Sequence, residues 1–232
     1  MRQLVIAIDG PSGSGKSTTS RAVARALGLS YLDTGAMYRA VTVAFLDGGV
    51  DPSDVAGIIR TTVEANLEIS TDPDATWVRI DGRDVTEEIR EQRTSANASA
   101  VSTVPECRAN LVARQQQLIA AAPVGIVAEG RDITTVVAPD ADVRLLLTAD
   151  PEIRMARRNL DLGGDVDAAA LRDQVLRRDA DDSTLVNFTE AADGVTQLDC
   201  TYLTLQETID AVLELIAERT GVRAAGTTWD RT

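Results

Sequence analysis

Of 232 residues, 44% are hydrophobic and spread along the whole chain, which allows one domain with a sizeable core; aromatics are only 3%, so Leu, Val, Ile and Ala must fill it. The 36 acids and 23 bases leave a formal charge of −13, which argues against nonspecific binding to nucleic acid or anionic membrane and means that an anionic ligand needs a local pocket of bases. With no histidine at all, His general bases, Ser-His triads and His-ligated metals are excluded.

In chain order, residues 3–9, QLVIAID, are a short apolar run ending in a glycine-rich turn, the pattern of a buried parallel strand. STTSRAVARALG follows as a helix with Gly28 as its stop. SYLD is a second short strand, and TGAMYRAVTVAFLDGG a helix with Thr34 as the expected N-cap. The pattern changes between about 50 and 105. DPSDVAGIIRTTVEANLEI reads as a helix ending in a strand, and TWVRIDGRDVT as two strands around Asp81-Gly82, a hairpin signal. Alternation resumes with a helix near 105–121 and two buried strands, VGIVAEG and DVRLLLTAD. Arg-rich helical segments run from about 151 to 180, GVTQLDC is a last strand, and LTLQETIDAVLELIAER a final amphipathic helix. The end, GVRAAGTTWDRT, has no periodicity and is expected to be a loose tail. Strand–helix alternation implies a parallel sheet covered on both faces, with an inserted antiparallel subdomain.

Cys107 and Cys200 are far apart, lack metal-ligand spacing and read as free thiols. No apolar run reaches membrane-spanning length, and LVIAI is too short for a signal core. The chain is therefore expected to be soluble and cytoplasmic, with neither nucleic acid nor membrane as partner.

The first chemical motif is Gly10-Pro11-Ser12-Gly13-Ser14-Gly15-Lys16-Ser17, which fits G-x-x-x-x-G-K-[ST] between a strand and a helix. Glycines let the backbone curl so that its N–H groups converge on phosphate, and the helix start adds positive potential. Lys16 would reach the β/γ-phosphates and Ser17 would hold Mg²⁺. Lys16 is the only lysine; every other basic residue is arginine. A tight phosphate cradle takes a slim ammonium as a point charge, where a wide planar guanidinium fits worst.

A phosphate loop gives nucleotide binding, not a function. A GTPase switch needs a second lysine in its guanine-reading motif, and none exists. An ATP-driven motor or transporter subunit would end a strand in Asp-Glu, but Pro151 follows Asp150 in the nearest candidate, RLLLTAD. A small-molecule phosphotransferase fits the length, the late arginines and the insert. Two further stretches sit where ligands bind at the ends of parallel strands: YLDTGAMYRAV, with Thr34 and Arg39, and AEGRDITTVV, with Arg131 and Asp132.

IDGPSGSGKST, LDTGAMYRA, DGRDVTEEIR, SANASAVSTVPECRANLVARQQ, GRDITTVV and RRDADDST together resemble, in order and spacing, the bacterial cytidylate (CMP) kinases over roughly residues 3–220. The resemblance implies a P-loop nucleoside monophosphate kinase fold: a parallel five-stranded sheet flanked by helices, a small inserted antiparallel β subdomain and a helical lid. The kinase domain would span 1–222, with core 1–50 and 105–222, an acceptor-binding insert at about 51–104 and a lid at about 151–168; 223–232 would be the tail. It implies transfer from ATP to CMP and dCMP with Mg²⁺, in a monomer. ATP would sit on Gly10–Thr18. Thr34, Arg39, Ser99, Arg108, Arg131, Asp132, Arg178 and Asp182 would form the acceptor site. Of these, Arg39, Arg131 and Arg178 would hold the phosphate, Ser99, Arg108 and Asp132 the cytosine edge, and Asp182 the sugar hydroxyls. Arg154, Arg157 and Arg158 would close over the donor phosphates, so the catalytic set is Lys16, Arg131, Asp132, Arg157 and Arg158.

The match departs in two places. Leu185 stands where the family usually has an arginine for the acceptor phosphate, and Thr134 stands where glycine is common. Those departures keep two alternatives open: a small P-loop phosphotransferase with another acceptor, or a weakly active nucleotide-binding paralogue.

Overall fold

The computed structural model describes residues 3–161 and 190–224. β1 (Leu4–Asp9) runs through the glycine-rich turn into α1 (Lys16–Leu27), and β2 (Ser30–Asp33) into α2 (Thr34–Asp47). α3 (Val55–Glu64) precedes three short strands, β3 (Leu67–Ile69), β4 (Val78–Ile80) and β5 (Arg83–Asp84). Two short helices, α4 (Gln92–Asn97) and α5 (Ser99–Ser102), lead into the long α6 (Pro105–Ala121). Then come β6 (Gly125–Gly130), β7 (Val143–Thr148), α7 (Pro151–Asp161), β8 (Thr196–Asp199) and α8 (Leu205–Thr220).

The main sheet is parallel, in the order β2-β6-β1-β7-β8, and β3-β4-β5 form a separate antiparallel sheet. Central parallel strands must be apolar on both faces, and β6 is buried at every position. On β1, Ile6 and Ile8 pack with Val23 of α1 and Val212 of α8, whereas Ala7 faces Met37, Val41 and Phe45 of α2. The sheet thus separates two apolar layers, each closed by helices. Burying one large side chain in such a layer contributes roughly 1.5–3 kcal/mol.

Local chemistry explains the boundaries. Gly28 ends α1 in the left-handed conformation, φ 66°. Asp81 and Gly82, at φ 52° and 78°, make the two-residue turn expected between β4 and β5. Thr204 and Glu207 form a reciprocal capping box on α8. One expected cap is corrected: α2 is capped by Asp33, whose carboxylate accepts from Ala36 N–H at 2.8 Å, and Thr34 is already the first helical residue. An extended Asp33 places its carboxylate over the free amides of the first turn, which leaves the Thr34 hydroxyl for another bond. Residues 92–103 carry no apolar period long enough to announce α4 and α5. The π-helical turn Ile133–Val137 has no sequence signal either. The three-stranded sheet lies inside the stretch expected as the insert. Residues 162–168 of the expected lid and 225–232 of the expected tail lie outside the described residues.

Strands β1, β2 and β6 end on one edge of the sheet, with β6 between the other two. The segments that leave β1, β2 and β6 face the same opening.

Candidate active site

The phosphate loop curls between β1 and α1. Gly13 and Gly15 have φ 76° and 86°, which non-glycine residues avoid. A side chain at Gly13 would also collide with the Arg154 backbone of α7. Ser14 is buried, and its hydroxyl has no hydrogen-bond partner among the described residues, as suits a loop whose ligand is anionic. The loop, α2, the insert and the end of β6 enclose a cleft of about 420 Å³.

The cleft brings together much of the expected site. Ser12, Gly13, Gly15, Lys16, Ser17 and Thr18 line one part. Thr34, Arg39, Arg108, Arg131 and Asp132 line another. Gly10, Pro11, Ser14 and Ser99 do not line it; Ser99 lies on α5, whose Ser102 does. Arg178, Asp182 and the Leu185 departure lie outside the described residues.

The lid arginines diverge from expectation. Arg154 is buried and donates to Ser12 O at 3.0 Å, so it braces the phosphate loop from behind. Arg157 does not line the cleft: it donates to Cys200 O at 2.9 Å and Leu203 O at 3.3 Å in the loop after β8. Both bonds leave Nη2, and Nη1 faces Cys200 Sγ at 3.6 Å, so the guanidinium is held at the β8 loop rather than over the cleft. Arg158 belongs to α7. Cys107 and Cys200 are free and buried, as expected. Cys200 donates to Ser14 O at 3.2 Å, which ties the β8 loop to the phosphate loop.

The part of the cleft lined by Arg39, Arg108, Arg131 and Asp132 is held by paired charges. Arg39 donates to Asp33 at 3.0 Å, so the carboxylate that caps α2 also sets this arginine. Arg108 pairs with Asp132, which is 5% exposed, and also donates to Ser102 O at 3.3 Å. The Thr34 hydroxyl donates to Glu129 O at 2.8 Å and pins the start of α2 to the end of β6.

Glu129 is the residue that motif reading missed. It is 2% exposed, yet it carries a carboxylate at the floor of the cleft. Its Oε1 accepts from Ser17 Oγ at 2.6 Å and Tyr31 Oη at 3.2 Å, and its Oε2 lies 4.0 Å from Lys16 Nζ. Burial and then Asp33 push this carboxyl upward, while Lys16 and Ser17 pull it back. Burial, Glu129 and Asp33 also push the Tyr31 phenol up, so that it stays a donor. A signal existed: an acid as the penultimate residue of an otherwise apolar strand, GIVAEG. Arg21 and Arg90 also line the cleft; Arg90 ends the matched stretch DGRDVTEEIR but was given no role, and no motif pointed to Arg21.

Ser17, Glu129 and Asp33 offer hard oxygen donors on one wall, the kind a small divalent cation takes. Among the described residues no group of three His, Cys, Asp or Glu could hold a metal alone. Mg²⁺ keeps several waters and phosphate oxygens and needs only one or two protein oxygens, so these residues fit it.

The family model described as Cytidylate kinase matches residues 6–218. Three similar proteins are named Cytidylate kinase. That of Cutibacterium acnes is 55% identical over 214 residues, covering 92% of this chain and 96% of that one. That of Streptomyces avermitilis is 46% identical, covering 93% and 94%. That of Corynebacterium glutamicum is 46% identical, covering 92% and 94%.

Proposed function

The chain belongs to the cytidylate kinase family, and from that premise we propose that it transfers the terminal phosphoryl group of ATP to CMP and dCMP, with Mg²⁺, as a cytoplasmic monomer. The observation that carries the reading is the single cleft in which Lys16 of the phosphate loop shares walls with Arg39, Arg108, Arg131 and Asp132.

The chemistry asks for what these residues supply. An acceptor phosphate is already an anion and needs no strong base; transfer needs alignment, charge neutralisation and exclusion of water. Lys16 and the loop amides would hold the donor phosphates. Arg39 and Arg131, with Arg178, would hold the acceptor phosphate; Arg158 would approach the donor on closure of the lid, and Arg157 would do so only by leaving the carbonyls of Cys200 and Leu203. Ser17 and Glu129 would hold Mg²⁺, which when bound neutralises and orients phosphate oxygens. Asp182 would take the sugar hydroxyls. Among the described residues no helix is long and apolar enough to cross a membrane. A coupled ADP-release assay across AMP, CMP, dCMP, UMP and GMP tests the reading: CMP and dCMP should be the best acceptors, and a clear preference for a purine monophosphate would overturn it.

Asp132 should set the choice of base, with Arg108 holding it in place and Ser99 beside them. Cytosine presents an amino donor where uracil presents a carbonyl, and a carboxylate accepts from the first and repels the second. Asp132→Ala should lower kcat/KM for CMP about tenfold and for UMP much less, because one charge-assisted hydrogen bond is worth roughly 1.5–3 kcal/mol. An unchanged CMP:UMP ratio would place the discrimination elsewhere.

The leucine at 185 removes one expected phosphate contact. Leu185→Arg should lower KM for CMP about tenfold and leave KM for ATP nearly unchanged, by the gain of one charge-assisted hydrogen bond. No gain for CMP, together with good activity on another monophosphate, would favour a changed acceptor.

A further inference from the structure

Asp9 is the last residue of β1 and the residue before the phosphate loop, and it is 2% exposed. Among the described residues its carboxylate accepts only from the turn after β6. Its Oδ1 accepts from Ile133 N–H at 2.9 Å, and its Oδ2 accepts from Thr134 N–H at 2.8 Å and from the Thr134 hydroxyl at 2.6 Å. Gly10 N–H adds a backbone bond to Gly130 O at 3.3 Å. The root of the phosphate loop is therefore joined four times to the turn that carries Arg131 and Asp132.

That turn needs an external partner. Ile133 and Thr134 open a one-turn π-helix, and their N–H groups have no acceptor within it. Thr134 is 3% exposed, so water is not the alternative. Burial pushes the Asp9 carboxyl up to about 6, against the pull of its three donors. It is thus mostly ionised at neutral pH, where such bonds are charge-assisted and strong. A residue without a side-chain hydroxyl at 134 would supply the N–H but not the third bond.

We infer that Asp9 and Thr134 form a buried positioning unit that sets the turn bearing Arg131 and Asp132 against the phosphate loop, so that the Thr134 hydroxyl governs acceptor binding and base choice without touching either substrate. The inference rests on the proposed acceptor site and adds to it a residue outside the cleft wall. It also gives Thr134 a role: its hydroxyl adds a third donor to an Asp9 carboxylate that otherwise holds two backbone N–H groups.

The test uses Thr134→Val, which keeps the branched shape and removes the hydroxyl, and Thr134→Ser, which keeps the hydroxyl. Valine should raise KM for CMP about tenfold and narrow the CMP:UMP ratio, with KM for ATP unchanged; misplacement of a substrate-orienting group by about 1 Å can cost up to ~10²-fold. Serine should restore both. Hydrogen exchange gives a readout independent of turnover: valine should speed exchange of the amides at 130–137, and serine should not. Unchanged CMP kinetics and exchange in a folded valine variant would overturn the inference. So would a fall in ATP and CMP parameters together that serine fails to restore, the mark of general loosening. Wild-type enzyme inactive on CMP but active on another monophosphate would overturn the proposed acceptor instead, and the unit would then be judged on that acceptor with the same variants and the same exchange measurement.

Discussion

Lys16→Arg should reduce phosphoryl transfer about 10²–10³-fold, the usual cost of removing one preorganised group that stabilises transition-state charge. The change keeps the charge and alters only its shape. Lys16 is the first residue of α1, and its ammonium lies 3.4 Å from Pro11 O and 4.0 Å from Glu129 Oε2. The side chain is only 16% exposed. A guanidinium is broader, planar and fixed in its donor directions, so it cannot sit where a compact ammonium points along the loop axis. The loss should fall on kcat, with KM for CMP little changed, because the acceptor phosphate is proposed to be held by other arginines. Lys16→Met, which removes the charge, should be no better than arginine. Near-wild-type turnover in the arginine variant would show that charge alone suffices, and the steric account of the lone lysine would fail.

Glu129→Gln should lower transfer about 10–100-fold, the range for residues that orient a metal's surroundings. Glutamine keeps the size and one acceptor oxygen for Ser17, now 2.6 Å away, but loses the charge that faces Lys16 and would attract Mg²⁺. The variant should need more Mg²⁺ for half-maximal rate. Calorimetry supplies a second readout: ATP should bind the variant as well as wild type without Mg²⁺, and the added affinity that Mg²⁺ confers should shrink. The fold should hold, since neutralising a 2%-exposed carboxylate that burial already disfavours removes a desolvation cost. If Mg²⁺ dependence and turnover both match wild type, Glu129 is a structural acid and the divalent cation is held from elsewhere.

What could be read from the chain was what is local. Strand, glycine-rich turn and helix are encoded within the first 28 residues, where an apolar run, three glycines and one lysine follow one another. The turn at Asp81-Gly82 and the start of α6 at Pro105 are equally local, as dihedral freedom and a missing N–H act over one or two residues. The cap of α2 was misread by one position for the same reason: Asp33 and Thr34 can both cap, and the choice depends on where β2 ends. Thr34 is drawn off by Glu129 O, a partner 95 positions away.

By itself, then, the sequence determined the order of elements, the parallel sheet with its insert, the phosphate loop and a family likeness strong enough to name the substrates to test. Only the tertiary structure decided which side chains share the cleft. Glu129 reaches Ser17 across 112 positions, and Asp9 reaches Thr134 across 125. Both follow from one fact of topology: β6 inserts between β2 and β1, so that Asp9 lies in register with Gly130 and Asp33 with Glu129. Periodicity records which face of a strand is buried, but not which strand lies next to it. Arg157 shows the same limit. Its place in an arginine-rich helix is local, but the carbonyls of Cys200 and Leu203 that hold it come from the far side of β8.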